Sequence, residues 1–109
     1  MKPVLILAAA AAAFLAATPA LAKDARCFTT DDGEYPCAFE MTAKDGSFRI
    51  SAEGKPTFEV VMEGDGVALV YGTYEAGGRS VALPGEYVRA DDDPACWDNA
   101  DTETRICAW

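Results

Sequence analysis

From residue 36 to residue 90 a period-two pattern of apolar and polar residues dominates, and glycine-bearing turns interrupt it at short intervals. No long segment carries a helical 3.6-residue period. Side chains two apart share one face of a strand, so this pattern predicts half-buried strands joined by tight turns. Strands are expected near residues 36–43, 47–53, 57–63, 66–75 and 79–84, with a sixth near 86–90 and a last one near 104–109. Lys44-Asp45-Gly46-Ser47, Gly64-Asp65, Ala76-Gly77-Gly78 and Pro84-Gly85 supply the turns, and Gly54-Lys55-Pro56 links two hairpins. With Gly64-Asp65 as a two-residue loop, Met62 falls opposite Val67, Val60 opposite Leu69 and Phe58 opposite Tyr71. In the neighbouring hairpin Ala43 meets Phe48, Met41 meets Ile50 and Phe39 meets Ala52. Past Ala76-Gly77-Gly78, Thr73 faces Val81 and Tyr71 faces Leu83. The fold class is therefore all-β: a small antiparallel meander that closes into a barrel or barrel-like sandwich, because closure removes exposed strand edges.

The first 22 residues have a different composition. Lys2 gives a short positive start, Val4 to Ala17 is an unbroken apolar run of 14 residues, and Ala20-Leu21-Ala22 is a small-x-small cleavage site. This is the signature of a secretory leader, too short and wrongly flanked for a membrane span. The alanine-rich leader points to the periplasm. Residues 23–109 then form one small domain. No second long apolar run occurs, so no membrane insertion is expected once the leader is cleaved.

Export also accounts for four cysteines, Cys27, Cys37, Cys96 and Cys107, in a chain with no histidine. Metal-binding cysteines come in closer knuckles, often with histidine, and a CxxC redox motif is missing. Structural disulfides are expected, and a core this small benefits from them. Spacing favours local pairing, Cys27 with Cys37 and Cys96 with Cys107. A nested arrangement, Cys27 with Cys107 and Cys37 with Cys96, would instead tie the two termini together. Each local bridge closes a loop of about ten residues and contributes roughly 2–3 kcal/mol in the chain-entropy model.

Without the leader the chain keeps 8 Lys and Arg against 18 Asp and Glu, a net charge of −10. Nucleic acid and anionic membrane surfaces require a basic footprint, so neither is an expected partner. A basic protein is. The oligomeric state is unspecified.

Catalytic machinery is not expected. No histidine provides a general base, the cysteines are committed to bridges, and Ser47, Ser51 and Ser80 sit in no nucleophile motif. No glycine-rich phosphate loop is found, and no cofactor or metal site is assigned. Two regions remain as binding candidates. In the register above, Val61, Ala68, Val70 and Tyr74 lie on the outer face of the central hairpin beside Glu59, Glu63 and Glu75, an apolar stripe rimmed by carboxylates. This is the candidate partner face. The acidic segment Ala90 to Glu103 lacks alternation and reads as a surface loop clipped by Cys96. With Trp97, Asp98, Asn99, Asp101 and Trp109 it is the candidate ligand loop, for a sugar stacked on indole or for calcium. Its spacing does not fit an EF-hand. The third reading is a structural or stress-related envelope protein without a discrete site.

In size, export signal and strand pattern the chain is similar to the small periplasmic inhibitors of lysozyme, the MliC-like group. That resemblance implies a β-barrel that blocks a cationic enzyme. The group's Ser-Gly-x-x-Tyr and Lys-Gly loops are not found; Gly77-Gly78-Arg79-Ser80 with Tyr87 further on has a different order. No residue role is carried over.

Overall fold

Nine strands carry the alternation through: β1 Lys23–Thr29, β2 Gly33–Met41, β3 Phe48–Ser51, β4 Thr57–Gly64, β5 Val67–Thr73, β6 Val81–Ala82, β7 Tyr87–Arg89, β8 Cys96–Asn99 and β9 Thr104–Ala108. They belong to a computed structural model that describes residues 22–109. The leader expected over residues 1–22 lies outside the described residues, apart from Ala22. Every pairing is antiparallel, and sequential strands are neighbours around a ring that β4–β5 and β1–β9 pairing closes. The ring is an eight-stranded barrel. β6 and β7 share one edge of β5, and Pro84-Gly85 separates them. Gly85 has φ 77°, the left-handed conformation that a proline–glycine turn requires.

Inward residues fill the barrel. Ile50, Val60, Val70 and Trp97 are fully buried, and Phe48, Phe58, Ala68, Tyr87 and Ile106 pack around them. Each fully buried aliphatic side chain contributes about 1.5–3 kcal/mol. Both disulfides follow the local pairing, Cys27–Cys37 and Cys96–Cys107. Cys27 and Cys37 belong to the main core. Cys96 and Cys107 face the opposite side of the wall, where Ala90 and Phe28 cover them as a second small cluster.

Two strands were not expected. β1 carries Lys, Asp and Arg among seven residues, and its pattern is too weak to read as alternation. β8 lies inside the acidic segment expected to be a loop. Within four residues it turns Trp97 and Asn99 inward and Cys96 and Asp98 outward. Antiparallel pairing with β7 and β9, not local composition, makes it a strand.

Register departs from expectation in an instructive way. β2–β3 is offset by two residues, so that Met41 meets Phe48 and Phe39 meets Ile50. An even offset keeps the same side chains on the same face. β4–β5 is offset by one: Phe58 meets Gly72, Val60 meets Val70 and Met62 meets Ala68. The loop is Asp65-Gly66, with Gly66 at φ 70°, and a bulge lies between Met62 and Gly64. Asp-Gly is the stronger turn pair, and a single-residue slip exchanges the two faces of a strand. Ala68 and Val70 therefore point into the barrel, and Val67, Leu69 and Tyr71 point out. β5–β6 is likewise offset by one, pairing Tyr71 with Ala82 and Gly72 with Val81.

Candidate functional site

The outer wall of β4, β5 and β7 carries an apolar band. Val61 stands opposite Leu69, and Val67 opposite Val88. Tyr71 shares their face, two residues from Leu69. Val61 is 36% exposed and Val88 51%, and Val67, Leu69 and Tyr71 are half-buried. Glu63, Asp65 and Glu86 are exposed around the band. Of the expected partner face, Glu59, Val61 and Glu63 belong here. Ala68 and Val70 are corrected to the core by the register. Tyr74 is 54% exposed but leaves this wall: it lies over Gly72 at the barrel end, edge-on to Phe58 with ring centroids 6.0 Å apart. A Cβ on Gly72 would approach the Tyr74 ring to 2.9 Å, so a larger residue there would displace the ring from this seat.

Few carboxylates on the wall are neutralised. Arg49 bonds Glu40 at 2.8 Å and Glu59 at 2.7 Å, and its guanidinium is held more firmly protonated by those bonds. Arg105 bonds Asp98 at 2.7 Å and Asp92 at 2.9 Å. Hydrogen bonding to Arg105 draws the Asp92 carboxyl below its ordinary range. Lys55 pairs with Asp32 and Arg26 with Glu34. Six of the 18 carboxylates are thus ion-paired, which leaves twelve without such a partner among the described residues.

An up-and-down barrel gathers alternate turns at each end. The β1–β2, β3–β4, β5–β7 and β8–β9 connections meet at one of them, around a cavity of about 200 Å3. Phe58, Leu83 and Ile106 supply apolar lining, Tyr74 and Tyr87 add rings with hydroxyls, and Thr29, Thr30, Thr102 and Thr104 add further hydroxyls. Tyr87 Oη lies 3.3 Å from Thr104 Oγ1. Burial raises the Tyr74 phenol above its ordinary value, with neighbouring Tyr87 and Asp31 adding to the shift. Burial, then Asp32, raises Tyr35 nearby, whose buried hydroxyl makes no hydrogen bond among the described residues. The sequence offered a partial signal for this site: turn order places the β3–β4 and β5–β7 connections at one end, whereas the β1–β2 and β8–β9 connections depend on two strands that alternation did not reveal. It offered none for which inward side chains would remain accessible there.

The expected ligand loop is not an open ligand platform. Trp97, at 2% exposure, is inside the barrel, and Arg89 stacks on its ring at 4.3 Å. Trp109, at 48%, is outside and its Nε1 donates to Asp93 at 3.0 Å. Cys96–Cys107 pairing does not bring the two indoles together, because strand alternation puts them on opposite sides of the wall. Asn99 is buried. Its Oδ1 accepts from the amides of Asp101 and Thr102, and its Nδ2 donates to the Pro84 carbonyl at 2.7 Å. Asp98 is spent on Arg105, while Asp101 remains exposed. Among the described residues no group of three acidic, cysteine or histidine side chains is arranged to hold a metal ion.

Compared with known proteins, the chain has no match to a family model and no significant match to a curated protein or a solved structure.

Proposed function

We propose that this is an exported, non-catalytic binding or inhibitory module for a basic protein, engaged through the outer wall of β4, β5 and β7. The observation that carries the reading is the exposed apolar band Val61–Leu69–Val67–Val88 set among uncompensated carboxylates. An interface needs an apolar centre to displace water and a polar rim to choose the partner. Here the rim is acidic, so electrostatic steering selects a cationic surface and raises its association rate. The leader signature and two disulfides support an oxidising compartment, and the periplasm suits both.

Surface plasmon resonance against a panel of basic proteins, lysozymes included, tests this at low and high salt. Replacing Glu63, Asp65 and Glu86 by Gln or Asn should slow association by about tenfold or more at low salt and flatten the salt dependence. Val61→Asp with Val88→Asp should abolish binding while leaving the barrel folded. Binding that ignores both sets, or no binding across the panel, defeats the reading.

A further inference from the structure

We infer that the open barrel end is a binding site for a small organic cation, an ammonium group on a short apolar or methylated body, held by Phe58, Tyr74 and Tyr87 with Asp31 as counter-ion. Aromatic faces carry negative potential and attract cations within about 6 Å of the ring centre. This molecule uses that attraction three times with its own side chains. Arg89 lies over Trp97 at 4.3 Å, Lys55 over Tyr35 at 5.4 Å and Lys23 over Phe39 at 5.5 Å. Among the described residues no cation lies over Phe58, Tyr74 or Tyr87, although these three rings line one cavity.

The charges around the cavity have the sign such a guest requires. Asp31 lines it and forms no ion pair among the described residues. Asp32 is shared with Lys55 at 3.7 Å. Arg105 is the only cationic residue in the lining, and its guanidinium is occupied by Asp92 and Asp98. The raised Tyr74 phenol stays neutral at physiological pH, so its ring keeps its attractive face. A cavity of about 200 Å3 is smaller than the ~300–1,000 Å3 of sites for drug-sized ligands, which restricts the guest to few heavy atoms. The Phe58–Leu83–Ile106 lining favours methyl or methylene groups next to the charge.

Isothermal titration of the oxidised protein with benzyltrimethylammonium and with choline tests the site, with choline's neutral tert-butyl isostere as the control. Saturable binding is expected, with the neutral compound at least about tenfold weaker. Asp31→Asn, a surface change that leaves packing intact, should weaken both cations by ~5-fold, and Tyr74→Leu should weaken them further. Equal affinity for the neutral isostere, cation binding indifferent to Asp31→Asn, or no heat below about 10 mM ligand overturns the proposal. Val61→Asp with Val88→Asp lies on the outer wall, away from this cavity, and should leave this titration unchanged, so failure here and failure of the protein-binding reading are separable.

Discussion

Each end of the barrel holds a cavity of about 200 Å3 with aromatic lining, yet the two ends are finished differently. At the end formed by the β2–β3, β4–β5 and β7–β8 turns, Phe39 stacks on Phe48 at 5.1 Å and Trp97 lies beneath Arg89. Arg89 also donates to the Pro94 carbonyl at 2.6 Å, pinning the β7–β8 loop over the opening. Buried Ser47 secures the adjacent turn: its Oγ accepts from the Met62 amide, and its own amide donates to Asp45. At the opposite end Lys55 lies over Tyr35, but among the described residues no cation lies over the rings that line the cavity itself, Phe58, Tyr74 and Tyr87, beside Asp31 and Asp32. Size and aromatic content therefore do not separate a packed end from a receptive one. Ownership of the cation does.

Loss of Trp97 should have the largest effect. Trp97→Ala removes the biggest fully buried side chain and leaves Arg89 without its platform, so about 3–5 kcal/mol of stability should disappear in denaturant unfolding. A loss under ~1 kcal/mol would mean that this end is not the packed one. Asn99→Ala comes next, at about 1–3 kcal/mol, because three hydrogen bonds of a buried amide vanish together. Amide exchange should accelerate first at Asp101 and Thr102, on the open end, while the Ser47 turn stays protected. Arg89→Gln is the mildest and the most discriminating change. It should cost roughly 0.5–2 kcal/mol and leave the Trp97 face without its cation. Weak benzyltrimethylammonium binding should then appear at the Arg89 end, seen as shifts of the Trp97 indole signal in NMR. If Arg89→Gln gains no such binding, the presence or absence of an internal cation does not explain the contrast.

Much of this molecule was legible from local rules. The period-two pattern named seven of the strands, the short cysteine spacings matched both bridges, and Pro84-Gly85 marked its turn. The outer wall of β4 and β5 was legible only in part. Glu59, Val61 and Glu63 fall on the outer wall, in phase with the Phe58-Glu59-Val60 alternation that opens β4, whereas Ala68 and Val70 turn inward by one residue of register. On β5 every residue from Val67 to Tyr71 is apolar, so its own pattern cannot say which face is buried. The choice fell to the Asp65-Gly66 turn and its bulge. Tyr74 escaped the strand altogether, because Gly72 gives its ring room to fold over the barrel end.

The sequence by itself determined a disulfide-stapled antiparallel meander with an acidic surface, since alternation, turn chemistry and charge are properties of neighbours along the chain. Tertiary structure alone decided that the meander closes into a ring between β1 and β9. It also decided that an acidic stretch around Trp97 is a core strand, and that among the described residues no cation lies over Phe58, Tyr74 and Tyr87 where they line one cavity. Those outcomes depend on pairings between residues distant in sequence. Cys27 lies beside Ala108 because the whole ring must close with one consistent set of inward side chains, a condition no local pattern states.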